Sequence, residues 1–157
     1  KLILISTTPC FAWQDDWTFG MDRKLLQLFL ENLKLNYATT INRFLTLQMS
    51  GDRDVGKILS QLRKSFFQRA EPDPAALEKG LKILQHSDLR DRIGEIRQPV
   101  LIIHGGNDVI THPAAADWMH RQLPQSQYVK FEHCGHAPFL SYSEQFVAHL
   151  NDFRTNS

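Results

Sequence analysis

The sequence predicts an α/β fold in which a parallel sheet carries a long helical insertion. Short, continuous apolar runs at residues 1–7 and 100–104 are typical of strands that are covered on both faces in a parallel sheet. Between them, residues from about 22 to 96 carry apolar side chains at helical spacing. We therefore predict a core strand within residues 1–11, a helical segment over 12–97, and a return to the sheet core over 98–157.

Four helices are predicted within the helical segment. The first two are indicated by side chains that recur every three or four positions, namely Leu25, Leu26, Leu28, Phe29 and Leu33, then Ile41, Phe44, Leu45 and Gln48. A third helix is expected from about residue 54 to 68. A fourth begins at Asp73 and Pro74, because aspartate caps helix N-termini and proline suits the first helical position, and it ends near Ser87.

Strands and helices alternate after this segment. The predicted elements are a strand at 100–104, a helix at 113–123, a strand at 126–131 and a helix at 143–153. Trp118 and Met119 of the first of these helices are expected to face inward, and the second helix carries the apolar residues Phe146, Val147 and Leu150. Strands that alternate with helices in this way indicate parallel pairing.

The composition is that of an ordinary globular domain. A net charge of +1 gives no general reason to expect nucleic acid as a partner, and no apolar run approaches the roughly 20 residues that span a bilayer. Two cysteines, Cys10 and Cys134, are too few for a disulfide framework, which favours a reducing, cytoplasmic compartment. The chain has no initiator methionine and begins within an apolar run, so we expect it to be the C-terminal part of a longer protein.

Two segments near the C-terminal end carry the residues best suited to catalysis. The strand at 100–104 runs into a turn that ends at Asp108, and the strand at 126–131 runs into a loop that contains Gly135 and His136. Functional groups of parallel sheets sit beyond the carboxyl ends of the strands, so both side chains are expected at one edge. An acid followed by a histidine in this order is the back half of a Ser-Asp-His triad. No Gly-x-Ser-x-Gly nucleophile motif occurs in the chain.

Asp108 and His136 could also have structural roles. An aspartate after a strand is often a turn or capping residue, and a lone histidine in a glycine loop is often structural. The combination of both, in this order and spacing, favours catalysis. Cys134, which lies in the histidine's own loop, is expected to be unreactive. His104 is predicted to be a packing residue at a strand end, and the solvated histidines are predicted to be His86, His112, His120 and His149.

No metal or cofactor is predicted. His133 and His136 have no carboxylate or cysteine at zinc-ligand spacing apart from Cys134. Ester hydrolysis by a Ser-Asp-His triad needs only proton transfers and acyl transfer to serine and water, and these require no cofactor.

The sequence resembles the BioH family of carboxylesterases, which are α/β-hydrolases of biotin synthesis that remove the methyl ester from pimeloyl-acyl-carrier protein methyl ester. The similarity covers the C-terminal three-fifths of the family's length. The stretches that carry it are residues 1–5 with 8–11, 42–48, 80–84 with 88–90, and 136–139. The Gly-x-x-Asp and Gly-His motifs occur in most α/β-hydrolases. The stretches in and beside the helical segment are more specific to this family.

The resemblance implies a role for each matching residue. Asp108 and His136 would be the acid and base of the triad, and the four helices would form the lid. The residues that would line the acyl pocket, together with His136, are Phe44, Leu45, Thr46, Leu47 and Gln48. Arg43 would contact the carrier protein. Other carrier-binding arginines of the family are replaced at Thr39, Gly56 and Ser60, and Lys57, Arg63 and Lys64 lie near enough to substitute for them.

The charge pattern favours the same partner only modestly. Residues 53–69 hold five basic side chains and one acidic one, which suits an acidic acyl-carrier protein but also suits an ordinary solvated helix face. The nucleophile and the oxyanion hole would come from an N-terminal part of the same fold. The chain alone is therefore expected to be inactive, to fold poorly, and to associate with that part or with a second copy through its exposed strand edge.

Two other classes of function remain open from the sequence. The first is a different α/β-hydrolase, such as a lipase-like esterase or a carbon–carbon bond hydrolase, because triad residues do not define the substrate. The second, more remote, is a non-catalytic helical adaptor that binds an acidic partner.

Overall fold

A three-stranded parallel sheet forms the centre of the computed structural model, which describes residues 1–52 and 55–156. The strands are β1 (Leu2–Ile5), β2 (Val100–Gly105) and β3 (Ser126–Phe131), and β2 lies between the other two. Every residue of β2 is buried, as its continuous apolar run requires. The predicted α/β class and the parallel pairing are therefore confirmed.

The segment between β1 and β2 begins with turns and isolated bridges over residues 6–22 and is mainly helical from Arg23 onward. Its helices, which we call the lid, are α1 (Arg23–Leu35), α2 (Tyr37–Gln48), α3 (Gly56–Phe67) and α4 (Pro74–His86), and a 3-10 helix (Arg90–Glu95) leads to β2. Asp73 caps α4 as predicted, because its side chain accepts a hydrogen bond of 2.8 Å from the backbone N–H of Ala75. The predicted start of the third helix at residue 54 lies outside the described residues.

Three further helices follow β2 in the part of the chain that the structure describes. They are α5 (Pro113–Gln122), α6 (Pro138–Ser141) and α7 (Ser143–Asn156). Helix α6 was not predicted, since four residues are too short to show a helical period. On α7, the side chain of Phe146 is buried, whereas that of Val147 is 50% exposed.

The two faces of the sheet are covered by different helices. Ile102 packs with Met119 of α5 on one face, and Ile103 packs with Phe153 of α7 on the other. Neighbouring residues of a strand point to opposite faces, so a run of apolar residues needs such double cover. This arrangement fixes the direction of β2 and therefore the position of the turn that follows it.

The lid has an apolar core of its own that also includes the loop after β3. Leu45 of α2 packs there with Leu30 of α1, Leu81 of α4 and Ala137, which follows His136. By contrast, Leu25 and Leu28 of α1 are exposed and lie outside this core. The lid is thus packed against the same loop that carries the candidate base.

Strand β1 lies at one edge of the described sheet. β1 pairs with β2 along one side, and its residue Ile3 is 42% exposed.

Within the ranges described, no helix has the length and apolar character needed to cross a bilayer.

Candidate active site

The turn after β2 brings the acid to the edge of the sheet. Asp108 lies three residues beyond β2 and is only 3% exposed. Two backbone hydrogen bonds join this turn to the loop after β3. They run from the N–H of Gly106 to the carbonyl of Phe131, at 2.8 Å, and from the N–H of Asn107 to the carbonyl of Cys134, at 2.9 Å. The two loops that the sequence placed at one edge are therefore in direct contact.

Asp108 and His136 form a hydrogen-bonded pair. The His136 Nδ1 lies 2.8 Å from the Asp108 Oδ2. The carboxylate can only accept, so Nδ1 carries the proton and the other ring nitrogen, Nε2, is left as the basic atom. The His136 side chain is 23% exposed and faces a cavity under the lid, whereas the Asp108 side chain is fully enclosed. This is the geometry of an orienting acid and a general base.

Several donors hold the Asp108 carboxylate in its ionised form. Its Oδ1 accepts hydrogen bonds from the backbone N–H groups of Ile110, at 2.8 Å, and Thr111, at 3.0 Å. Burial alone would raise the pKa of Asp108, but the hydrogen bonds with His104, His136 and the backbone of Thr111 outweigh it and hold the pKa well below its usual range. The acid is consequently charged at neutral pH.

His104 touches the acid, which the sequence did not reveal. Its ring is fully buried at the end of β2, with Nε2 2.8 Å from the carbonyl oxygen of Thr111 and 3.3 Å from the Asp108 Oδ2. A carbonyl oxygen can only accept, so Nε2 carries the proton. The prediction of a packing role at the strand end is thus incomplete, because His104 also supports the acid.

We expect Thr111→Val to lower the free energy of unfolding by about 1.5 to 3 kcal/mol, because a hydrogen bond to a charged acceptor is lost. The Thr111 hydroxyl lies 2.7 Å from the Asp108 Oδ2 and 3.1 Å from the carbonyl oxygen of Ser6. Urea unfolding would measure the change. Thr155→Val, at an exposed site on α7, is the matched control and should change stability by less than about 0.5 kcal/mol. Equal effects of both substitutions would contradict the role given to Thr111.

We expect Gly105→Ala to lower kcat by about 10-fold or more, because small displacements of catalytic groups are costly. A Cβ at Gly105 would overlap the backbone carbonyl groups of Cys134 and Gly135 and push the histidine loop away. Gly94→Ala is the control, since its Cβ would meet no atom within 4 Å. The kcat of both variants would be measured by steady-state ester hydrolysis, with this chain joined to the segment that carries the nucleophile. An unchanged kcat in Gly105→Ala would contradict the expected displacement.

A cavity of about 730 Å³ lies between the lid and the candidate triad. His136 opens into it from the sheet edge, and its lid wall includes Phe29, Phe44 and Leu47. Leu28, which does not join the apolar core, lines this cavity instead. The walls are mostly apolar, as expected for a pocket that holds an aliphatic group.

The predicted pocket residues do not all reach this cavity. Phe44 and Leu47 line it, whereas Leu45 is buried in the lid core and is absent from the described lining. Thr46 is also absent from the described lining, and its Oγ1 accepts a hydrogen bond of 2.9 Å from Arg63. Gln48 contributes its backbone carbonyl, which accepts a hydrogen bond of 2.7 Å from the N–H of His136. Helical geometry explains the difference, because successive residues of α2 point in different directions.

The residues predicted to contact a carrier protein lie on two lid helices. Arg43 is exposed and lines the cavity from α2. Lys57 and Lys64 are exposed on α3, and Arg63 is partly buried against Thr46. The structure describes all four of these basic residues, and of the four only Arg43 borders the cavity.

Cys134 is unsuited to be a nucleophile. Its side chain is fully buried, and burial together with the nearby Asp52 carboxylate raises the pKa of the thiol well above its usual range. As for metals, no group of three or more potential ligands comes together among residues 1–52 and 55–156.

The chain belongs to the α/β-hydrolase family. A family model described as the alpha/beta hydrolase fold matches residues 1–141. The match agrees with the parallel sheet and with an acid and a histidine that follow its last two strands.

Relatives of known name give a narrower similarity. The chain is 55% identical over 148 residues to the pimeloyl-[acyl-carrier protein] methyl ester esterase of Nitrosomonas europaea, covering 94% of this chain and 59% of that protein. It is 48% identical over 153 residues to the esterase of the same name from Nitrosospira multiformis, covering 98% and 58%. The resemblance seen in the sequence is confirmed. The chain spans about three-fifths of the length of these relatives.

Solved structures support the fold. An esterase from Exiguobacterium antarcticum matches with a TM-score of 0.86 at 23% identity, over 97% of this chain and 56% of that one. A bromoperoxidase from Bacillus anthracis matches with a TM-score of 0.89 at 16% identity, over 98% and 57%. At such identities the similarity concerns the fold alone.

Proposed function

We propose that this chain supplies the acid and the base of a serine carboxylesterase that hydrolyses the methyl ester of pimeloyl-acyl-carrier protein. The observation that carries the proposal is the Asp108–His136 pair, whose basic nitrogen faces an apolar cavity under the lid. The names of the two relatives at 55% and 48% identity support this substrate. We call this chain together with the segment that carries the nucleophile the complete esterase.

The mechanism follows from the proton positions. A serine from outside this chain attacks the ester carbonyl while His136 takes the hydroxyl proton, and Asp108 stabilises the imidazolium. Backbone N–H groups, also outside this chain, would hold the oxyanion. His136 then returns the proton to the departing methoxide, which leaves as methanol. In the second half, His136 takes a proton from water as the water attacks the acyl-enzyme. His136 then returns this proton to the departing serine oxygen, and the carboxylic acid that is released ionises.

The cavity suits an aliphatic acyl chain. Its lid wall presents Phe44 and Leu47, and its floor includes Val109 and Ile110 from the turn that carries the acid. An ester placed at His136 would let the chain of methylene groups run along these apolar walls. Arg43 borders the cavity on the exposed side of α2, where it could meet the phosphate of a carrier's prosthetic arm.

An acidic acyl-carrier protein is the proposed partner. Arg43, Lys57 and Lys64 are exposed on the lid, and the partly buried Arg63 donates a hydrogen bond to Thr46. Such a basic surface would speed association with an acidic partner and would weaken it as salt screens the charges. We also propose a cytoplasmic location, which the two buried, unpaired cysteines of the chain support.

The test is hydrolysis of a set of esters by the complete esterase. We expect kcat/KM for the carrier-linked methyl ester of pimelate to exceed that for a free short or aromatic ester by about 100-fold or more, because remote binding energy is used at the reacting bond. The excess should shrink as salt is raised. The chain alone is the negative control.

Each other outcome identifies a different function. Equal or better hydrolysis of short or aromatic esters would replace the substrate and keep the esterase class. Cleavage of a carbon–carbon bond with no ester hydrolysis would indicate the other hydrolase class. Binding of the carrier without hydrolysis of any substrate would support a helical adaptor.

A further inference from the structure

The segment that follows α2 contacts both loops of the candidate triad. The carbonyl oxygen of Gln48, the last residue of α2, accepts a hydrogen bond of 2.7 Å from the N–H of His136. Three residues later, the carbonyl oxygen of Gly51 accepts one of 3.3 Å from the side-chain amide of Asn107, which precedes Asp108. The end of one lid helix is therefore joined to the acid loop and to the base loop.

Asp52 makes the most direct of these contacts. Its Oδ1 accepts a hydrogen bond of 2.6 Å from the N–H of Gly135, the residue before His136. Its Oδ2 accepts one of 2.7 Å from the hydroxyl of Ser141, the last residue of α6. The carboxylate thus joins a point just before the base to a point five residues after it, and hydrogen bonds to an ionised acceptor are the strong class.

The position of Asp52 is not explained by the stability of α2. A carboxylate is favoured at the N-terminus of a helix and disfavoured near its C-terminus, where the carbonyl groups point. Asp52 follows the C-terminus of α2 by four residues. Its bonds go to the catalytic loop and to α6 instead.

The loop also packs closely against this segment. A Cβ placed on Gly135 would lie 2.6 Å from the carbonyl oxygen of Gln48 and 2.7 Å from that of Ser50. Ala137, on the other side of the base, is fully buried in the lid core. The backbone around His136 is consequently held by the lid on both sides.

We propose that Asp52 is a positioning residue that fixes the backbone of His136 to the lid, so that the base is correctly placed only while the lid segment is docked. The proposal rests on the proposed function for its kinetic part. Asp52 does not line the cavity within the described residues, and it acts on the substrate only through His136. Its loss should therefore lower kcat and leave KM nearly unchanged.

The test compares Asp52→Ala with Asp73→Ala in the complete esterase. Both aspartates accept a hydrogen bond from a backbone N–H of the protein, but that of Asp73 caps α4 and does not involve a catalytic loop. We expect Asp52→Ala to lower kcat by about 10- to 100-fold with KM within about two-fold, because a displaced base loses its alignment. Asp73→Ala should leave kcat within about two-fold of the starting protein, since it affects only a helix end.

Ser141→Ala and Asp52→Asn refine the same experiment. Ser141→Ala removes only the second contact and should lower kcat in the same direction by a smaller factor, which also decides the case if Asp52→Ala does not fold. Asp52→Asn can still accept from Gly135 and can donate to the Ser141 hydroxyl, so it should recover most of the lost kcat. A recovery of this kind separates positioning from a need for the charge.

Amide hydrogen exchange at Gly135 provides a readout that does not depend on the substrate. We expect faster exchange at this amide in Asp52→Ala than in Asp73→Ala, because the N–H of Gly135 loses its acceptor. If the starting protein hydrolyses no ester, the proposed function fails and this readout alone decides the role of Asp52. An unchanged kcat with unchanged exchange, or equal losses in Asp52→Ala and Asp73→Ala, would overturn the proposal.

Discussion

Replacing His136 with alanine should lower kcat of the complete esterase by about 10⁴-fold or more, since no other group can take the serine proton and return it to the leaving group. The neighbouring histidine at the acid cannot substitute. The Nε2 of His104 already carries a proton that points at the carbonyl oxygen of Thr111, and its ring is fully buried away from the cavity. The measurement is steady-state hydrolysis of the carrier-linked methyl ester, with the burst of acyl-enzyme formation followed separately.

His133→Ala is the matched control for this prediction. His133 lies in the same loop, three residues before His136, but its side chain is exposed. It should leave kcat within about two-fold of the starting protein, as expected for an exposed residue outside the site. Near-normal turnover in His136→Ala would assign the base to another residue.

Replacing Asp108 with asparagine should lower kcat by about 10⁴-fold, the scale of the loss seen when a triad acid becomes an amide. An amide of nearly the same shape keeps an acceptor for the N–H groups of Ile110 and Thr111, so the turn should persist. The change would act on the imidazole. His136 would lose the carboxylate that selects the Nδ1–H tautomer and stabilises the imidazolium, so Nε2 would be a poorer base.

The shape of the pH profile tests the same substitution. Because the hydrogen bonds around Asp108 hold its pKa well below the usual range, the acid stays ionised across neutral and mildly acidic pH in the unsubstituted protein. The rate lost in Asp108→Asn should therefore not return at any pH where the fold persists. Asp152→Asn, an exposed position on α7, is the control and should keep normal turnover. A small loss in Asp108→Asn would give the acid a purely structural role.

We propose two roles for the lid, and both follow from its contacts. Phe44 and Leu47 form part of the cavity wall, which bears on the choice of substrate. The segment from Gln48 to Asp52 instead contacts the backbone on either side of the base. Substitutions in the wall should therefore change KM and substrate preference, whereas substitutions in the segment should change kcat.

Local patterns were sufficient to predict the longer helices and strands and the two loops that carry Asp108 and His136. The apolar run that forms β2 and the cap at Asp73 each depend on a few neighbouring residues, so they can be read from the sequence. The Asp108–His136 pair could be predicted because the carboxyl ends of neighbouring parallel strands must meet. The short helix α6 was not predicted, because four residues are too short to show a helical period. The exposure of Val147 was not predicted either, because it depends on how α7 packs against other elements.

The sequence by itself determined the class of fold, the order of its longer elements and the choice of Asp108 and His136 as the candidate acid and base. Only the tertiary structure decided which side chains of α2 face the cavity, that His104 contacts Asp108, and that Asp52 accepts a hydrogen bond from the loop of His136. The physical reason is the distance along the chain. A helical or strand period repeats within a few residues, whereas Asp52 and Gly135 are 83 residues apart and meet only when the lid docks on the sheet edge.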